Sequence, residues 1–358
     1  MINFILRKTV YGFLVLLGVI TVVFLLFNVL PGDPARMMLG QRADEESIKA
    51  IKKDLGLDRP KSVQFLMYLN DLSPISVHNE KNPESLTYLD DNKYAYTKLF
   101  SIGEYAVVLK FPYLRRSYQN KRKVSEIIIE ALPETAVLAI TAILIGTLLG
   151  IVLGIIAAIK QGTFFDNAIL VVSVFGISTP AFFAALIISW IFGYVLSDIT
   201  GLNMVGSLYE IDDYGTGEYL NLQNLILPAM TLGIRPLAIV MQLTRSSLLE
   251  VLSQDYIRTA RAKGLSFFKI IFKHALKNAL NPVITAMSGW FASLMAGAVY
   301  IEMVFDWKGI GYEIFRATEK YDFPIVMGSV LFIATVFVIV NILVDIIYGF
   351  LDPRVRVS

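Results

Sequence analysis

The side chains best placed for specific chemistry lie in one basic segment. Arg258, Arg261 and Lys263 precede Gly264, and Lys269, Lys273 and Lys277 follow it at intervals of four. Positive charge at that spacing suits an anionic surface or a docking partner. It does not suit bond-breaking catalysis. Cysteine is absent and the two histidines, His78 and His274, are far apart, so disulfides, thiol catalysis and Cys-ligated metals are excluded, and a His-based triad or His-rich metal site is a poor fit. The net charge of +2, from 32 basic and 30 acidic residues, leaves no nucleic-acid footprint.

The elements that must carry this segment are unusually apolar. Of 358 residues, 55% are hydrophobic and 17% charged, against about 25% charged in an ordinary soluble domain. A globule of this length has no interior large enough for that apolar surface, so the excess faces lipid. Stretches 9–30, 136–159, 168–196, 279–301 and 324–344 carry no charge, and 225–244 carries only Arg235. The first, at 1.5 Å per residue, is roughly 33 Å long, about one hydrocarbon core. Continuous apolar runs satisfy their backbone in lipid as helices rather than barrel strands. The reading is an all-α integral membrane protein with six transmembrane helices. Asn28-Val-Leu-Pro-Gly-Asp-Pro34 ends the first run without a small-x-small cleavage site, so that run is expected to be retained rather than removed as a signal peptide.

Lys and Arg bias sets orientation through short loops. Arg7 and Lys8, Lys160, the basic segment, and Arg354 and Arg356 all fall on one side of a six-span chain, while 193–234 has neither Lys nor Arg. Both termini are therefore expected to be cytoplasmic and 31–130 external. Gly146, Gly150 and Gly154 form a ladder that admits a close neighbour helix. Ser178-Thr-Pro180 should break the third span, and Pro228, Gly233 and Pro236 should disturb the fourth.

Within the basic segment, Asp255 suits a helix cap, Gly264 a helix stop and Ser266 the next cap. Lys269, Lys273 and Lys277 share one face, with Phe268, Ile271, Phe272 and Ala275 on another. The pattern predicts two short helices in an L, joined at a glycine and lying along the membrane surface. An interfacial helix holding anionic lipid accounts for the lysines, but not for the turn Ala260-Arg-Ala-Lys-Gly-Leu-Ser266.

Asp255-Tyr-Ile-Arg-Thr-Ala-Arg-Ala-Lys-Gly-Leu-Ser266, with Phe272-Lys-His-Ala-Leu-Lys-Asn-Ala-Leu-Asn-Pro-Val283, resembles the EAA loop of ABC-importer permeases, specifically the "B" permease of the dipeptide/oligopeptide/nickel family. Further pieces match in order: Leu30-Pro-Gly-Asp-Pro-Ala35, Leu55-Gly-Leu-Asp-Arg-Pro60, Leu132-Pro-Glu-Thr135, Leu243-Thr-Arg-Ser-Ser-Leu-Leu-Glu-Val251, Glu302-Met-Val-Phe305 with Gly309-Ile-Gly311, Asn341-Ile-Leu-Val-Asp345 and Leu351-Asp-Pro-Arg-Val-Arg356. The likeness covers nearly all the chain except about 75–108. The sequence departs from the general pattern at Arg258, Thr259 and Ala260, where Glu-Ala-Ala is usual, and at Lys277, where proline is common.

The resemblance implies the type I ABC-importer permease fold, with an external insert between spans 1 and 2. It divides the chain into an N-terminal transmembrane helix (1–30), an external segment (31–130) with its insert at about 75–108, a five-helix permease core (131–351) containing the cytoplasmic loop 245–280, and a tail (352–358). It implies a subunit of an ATP-driven, binding-protein-dependent importer in a bacterial or archaeal inner membrane, working on di- or oligopeptides. The implied partners are a homologous second permease, two cytoplasmic ABC ATPases, an external solute-binding protein and membrane lipid, with no nucleic acid. The chain is not expected to be an enzyme or to bind a cofactor or metal. It lacks a Gly-x-x-x-x-Gly-Lys-Ser/Thr phosphate loop, so ATP and Mg belong to the ATPases.

The ATPase-coupling residues carried over are Tyr256, Arg258, Thr259, Ala260, Lys263, Gly264, Leu265 and Ser266. Candidates for the translocation path are Ser178, Thr179, Pro180, Arg235, Gln242, Thr285, Ser288 and Ser293, a scatter of weak hydrogen-bonding groups. Arg235, costly in lipid unless paired, is expected to face a cavity or to pair with an acid of this chain or of its partner, with Asp345 and Glu302 as the candidate mates in this chain. The insert, rich in tyrosine (Tyr88, Tyr94, Tyr96, Tyr105, Tyr113, Tyr118), has strand character at 106–112 and suits either a small lobe against the binding protein or a passive decoration. Two other readings remain: the same machinery importing nickel or another small polar solute, and an ion-coupled secondary carrier, which would favour acids inside the spans.

Overall fold

A computed structural model describes residues 2–29, 45–54, 56–83, 85, 87–91, 93–212, 214–215 and 217–351. In chain order its elements are α1 (Ile2–Val29), α2 (Glu45–Asp54), α3 (Lys61–Leu72), β1 (Ile75–Asn79), β2 (Tyr96–Ile102), β3 (Tyr105–Lys110), α4 (Val124–Ile159), α5 (Phe164–Ser178), α6 (Ala181–Trp190), α7 (Ser197–Thr200), β4 (Tyr209–Ile211), β5 (Glu218–Leu220), α8 (Gln223–Leu252), α9 (Asp255–Ala262), α10 (267–279), α11 (Asn281–Gly297), α12 (Val299–Phe305), α13 (Ile310–Glu319) and α14 (Phe323–Leu351). A π turn, Ile191–Val195, extends α6, and another, Ile270–Ala275, lies inside α10.

By length and composition, α1, α4, α8 and α14 are each long and apolar enough to cross a membrane. The pairs α5 with α6 and α11 with α12 bring the number to six if each bent pair is one span. Ser178-Thr-Pro180 does break the third span: α5 and the α6 segment meet at 112°. The proline locks φ and the residue before it is pushed out of the helical region. The prolines of α8 behave differently, since Pro228 and Pro236 lie within one continuous helix.

The chain divides into two compact units. One comprises 1–12, 131–312 and 335–358. Its core gathers Leu138, Ala139 and Ala142 of α4, Leu227 and Ala229 of α8, Leu294 of α11, Ile301 and Phe305 of α12, and Trp307. The glycine ladder explains how α4 and α8 approach. A Cβ on Gly146 would lie 2.8 Å from the Gly233 carbonyl oxygen, one on Gly150 2.8 Å from that of Leu237, and one on Gly154 2.7 Å from that of Met241. Backbone meets backbone along two turns of helix.

The other unit comprises 13–130 and 313–334. The expected strand at 106–112 is observed as β3 (105–110), the centre of an antiparallel sheet of order β1-β3-β2. Ile75 faces Leu109 and Asn79 faces Tyr105 across β1 and β3. Gly103, at φ +65°, opens the turn between β2 and β3. One face of the sheet buries Ala106 and Val108 with Tyr94 and Leu89. Beneath it lie polar groups: His78 touches Ser76 and the Tyr94 ring, Tyr94 donates to Asp71 at 2.6 Å, and Lys110 Nζ donates to the Asp71 carbonyl at 2.5 Å. Burial holds the Lys110 ammonium down to about 8. The His78 imidazole is also lowered, by burial first and by the nearby Lys110 charge second.

Candidate functional site

The basic segment folds as two arms joined at Gly264. The first arm, α9, starts at Asp255 itself with Gln254 in the capping position, so Asp255 contributes as first-turn charge rather than as the cap. Gly264 adopts φ +73°, the left-handed conformation that ends a helix at low steric cost. Ser266 then stands at the N-cap of α10, without a side-chain cap bond. Asn278 of the second arm donates to the Tyr256 hydroxyl at 2.9 Å, fastening the arms to each other.

Both arms are seated on the bundle by a shared apolar cluster. Ile257 and Ala260 of α9, with Ile270, Ile271, Ala275 and Ala279 of α10, pack with Ile155 and Ala158 of α4 and Leu248 of α8. Tyr256, Arg258, Thr259, Lys263, Gly264 and Ser266 are exposed, and Leu265 is half-buried. Ala260 sits in the cluster, only 7% exposed, and helps to seat the arm. The faces of α10 also differ from the simple helical expectation. Ile271 and Ala275 are buried, but Phe268 and Phe272 are exposed beside Lys269, Lys273 and Lys277. The π turn at 270–275 adds a residue to that turn and rotates the rest of the arm about its axis.

Just above the arms, Arg245 of α8 grips Asp166 of α5. Its Nε and Nη2 donate to the two carboxylate oxygens at 2.6 and 2.7 Å, and the Gly162 amide donates to Asp166 at 2.9 Å. Two turns of α5 further on, Gln242 donates to Ser173 at 3.0 Å. The broken span is therefore tied to the helix that leads into the two arms.

The path candidates do not form one cluster of mutual contacts. Arg235 reaches the Thr179 carbonyl at 3.4 Å, and Thr179 itself donates back to Phe175 at 2.7 Å. Ser178 and Pro180 are exposed at the break, as is Ser293. Thr285 donates to Asn281 of its own helix at 3.1 Å. The side chain of Ser288 lies outside the described residues. Neither expected mate of Arg235 is its partner. Asp345 pairs with Lys8 at 2.7 Å, and Glu302 is fully buried among other donors. Arg235 is exposed at the broken span, and the Thr179 carbonyl at the break accepts from it.

A polar knot that sequence reasoning missed lies at the opposite end of the core. Glu302 accepts from Thr135 Oγ1 at 2.8 Å and from the Tyr312 amide at 2.9 Å. Thr135 Oγ1 accepts from the Ile310 amide at 2.8 Å. Glu134 accepts from the Ser207 hydroxyl, and its carbonyl accepts from Trp307 Nε1 at 3.0 Å. A Cβ on Gly309 would lie 2.5 Å from Glu302 Oε2, which is why glycine stands there. The signal was present as two separate motifs, Leu132-Pro-Glu-Thr135 and Glu302-Met-Val-Phe305 with Gly309-Ile-Gly311, whose meeting no spacing rule announces. Nearby, Asn224 Nδ2 donates to Glu210 at 2.7 Å and Asn221 Nδ2 at 2.9 Å. With Tyr219, these donors hold the Glu210 carboxyl below its usual range.

Comparison with known proteins agrees with this architecture. Residues 150–357 match the family described as "Binding-protein-dependent transport system inner membrane component", and residues 1–81 match its N-terminal companion. The dipeptide transport system permease protein DppB of Alkalihalophilus pseudofirmus is 32% identical, over 99% of this chain and 100% of that protein. The di/tripeptide permease DppB of Pseudomonas aeruginosa is 34% identical, over 99% of each. The probable D,D-dipeptide permease DdpB of Escherichia coli is 36% identical, over 98% of this chain and 97% of that protein. Among solved structures, a chain of the inward-facing MetNI methionine ABC transporter covers 65% of this chain and 96% of its own at 18% identity and a TM-score of 0.46, too distant a likeness to add to the assignment. The ordered motifs, the bent spans and the full-length relatives converge: this chain belongs to the family of inner-membrane permease components of binding-protein-dependent ABC importers, with the type I permease fold.

Proposed function

We propose that the chain forms one half of a peptide-conducting path and that the first coupling arm is the seat of a cytoplasmic ATPase. The observation that carries this reading is the glycine-hinged pair of arms. It is clamped to the bundle through Ile257, Ala260 and Ile271 while Tyr256, Arg258, Thr259, Lys263 and Ser266 stay exposed. A rigidly seated arm with an exposed polar edge transmits a push without bending. Arg245 and Asp166 then relay it to the broken span. In this reading, a second homologous permease completes the path, two ATPases supply ATP and Mg chemistry, and an external binding protein delivers cargo. Both termini lie in the cytoplasm. The path residues are Ser178, Thr179, Pro180, Arg235, Gln242, Thr285, Ser288 and Ser293, and they act as weak, transient hydrogen-bonding groups.

Dipeptides and other short peptides are the proposed cargo, because the relatives just described are named for dipeptides, di/tripeptides and D,D-dipeptides. The test is ATP-dependent uptake of a labelled dipeptide by proteoliposomes holding the whole complex, with cysteine cross-linking from Lys263→Cys. Uptake that requires ATP, together with capture of the ATPase at position 263, supports the reading. Uptake driven by a proton gradient without ATPase overturns it.

A further inference from the structure

The second arm, α10, carries three stripes, each with a four-residue step. Ile271, Ala275 and Ala279 face the bundle and are fully buried. Lys269, Lys273 and Lys277 form a second, exposed stripe. Phe268 and Phe272 form a third, 69% and 57% exposed, and Phe267 at the arm's start is 46% exposed. Large aromatics on a water-facing surface are costly. No Asp or Glu stands anywhere from 256 to 301, so nothing on this stretch of chain answers the lysines.

The depth of the arm decides what covers it. Ile270 and Ile271 pack in one cluster with Ile155 and Ala158. Those two residues belong to the last apolar turn of α4, which ends at Ile159 immediately before Lys160. At its other end α10 runs directly into α11, the first helix of a bent span. The arm is therefore level with the edge of the hydrocarbon core, where exposed phenylalanine meets the acyl boundary and lysine reaches the headgroups.

We propose that α10 is a membrane-surface element: Phe268 and Phe272 lie in the headgroup boundary of the cytoplasmic leaflet, and Lys269, Lys273 and Lys277 hold anionic phospholipid. The two arms then have different partners, the ATPase on the first and lipid on the second, and the leaflet braces the lever that the ATPase pushes. This inference rests on the span reading and the cytoplasmic side proposed above, but not on ATPase docking, which the cross-link at position 263 tests separately.

The absence of native cysteine permits a clean experiment. Full-length Phe268→Cys protein, and in parallel Phe272→Cys, is labelled with bimane and reconstituted in phosphatidylcholine liposomes with and without phosphatidylglycerol. Brominated lipid is expected to quench both labels while aqueous iodide does not, with brominated phosphatidylglycerol the stronger quencher. Each surface lysine favours anionic lipid roughly fivefold. Lys269→Gln/Lys273→Gln/Lys277→Gln should therefore lower that preference by at least about tenfold, and the triple Arg variant should keep it. Labels open to iodide and untouched by brominated lipid overturn the proposal. So does shielding that arises only when ATPase subunits are added, which would assign this face to the protein partner.

Discussion

Asp166 and Arg245 form a two-point ion pair, at 2.6 and 2.7 Å, between α5 and α8. Asp166 is 1% exposed, so neutralising Arg245 leaves a carboxylate with little water to turn to. Arg245→Gln is expected to destabilise the bundle by about 1–3 kcal/mol, the cost of leaving a hydrogen-bonded carboxylate without its donors. The paired change Asp166→Arg/Arg245→Asp should recover part of that. Thermal unfolding in detergent reads both. Equal losses for the single and paired variants would show that the two groups do not act on each other.

The helix contact at Gly150 leaves no space for a side chain, since a Cβ there would sit 2.8 Å from the Leu237 carbonyl oxygen and 2.8 Å from Val240 Cβ. Gly150→Val should cost about 1–3 kcal/mol or more through overpacking. Gly18, whose Cβ would meet nothing within 4 Å, provides the control: Gly18→Ala should leave the unfolding temperature unchanged. A similar drop in both variants would contradict the packing account.

Gly264 needs its left-handed backbone to turn α9 into α10. Gly264→Val places a β-branched residue at φ +73°, a cost of about 1–2 kcal/mol. The strain falls on the hinge between the arms, so ATP-driven uptake by the complex should fall more steeply than thermal stability. Gly201, also at positive φ with open space around it, tests whether the loss is specific: Gly201→Ala should spare uptake.

In the polar knot, both carboxylate oxygens of Glu302 accept hydrogen bonds. Glu302→Gln turns one acceptor into a donor facing another donor, a mismatch of about 1–3 kcal/mol. Glu302→Leu removes both acceptors and strands Thr135 Oγ1 and the Tyr312 amide, so it should cost more. Thermal unfolding ranks the two. A leucine variant as stable as wild type would refute the knot's contribution.

The sheet of the second unit should respond to pH with a definite sign. Lys110 is held at about 8, and His78 is also lowered, chiefly by burial. Both groups bind protons more readily when unfolded, so the lobe gains stability as pH rises. The Lys110 contribution grows from about pH 8 towards the ordinary lysine value. As pH falls below the ordinary histidine value, proton uptake by His78 in the unfolded chain adds a further loss. Hydrogen exchange of the β3 amides, corrected for intrinsic rates, should show protection rising with pH. Lys110→Met should flatten the alkaline part of that rise.

Most of the helical frame was legible because lipid imposes a strong rule: runs such as 9–30 and 324–344 have one viable fold in a bilayer. The hinge was equally legible, because Gly264 between two amphipathic segments has few other uses. The facing of α10 was not. A π turn at 270–275 shifts its face, and nothing in the residue types of Ile270–Ala275 marks that extra residue. The sequence also could not show that the two acids of this chain named as mates for Arg235 have other partners. Asp345 and Glu302 had the right charge, but Lys8 and Thr135 claim them, and that competition is settled only in three dimensions. The Glu134–Ser207 and Thr135–Glu302 contacts join positions too distant along the chain for any local pattern to pair.

The glycine ladder has a mechanical meaning. At Gly146, Gly150 and Gly154 the α4 backbone lies directly against α8 carbonyl oxygens and the Cβ atoms of Pro236, Val240 and Thr244, so sliding by one residue would drive α4 side chains into those atoms. The two long helices are therefore locked against shear and travel together. Bending along the membrane helices is concentrated elsewhere, at the 112° corner before Pro180 and the 57° elbow between α11 and α12.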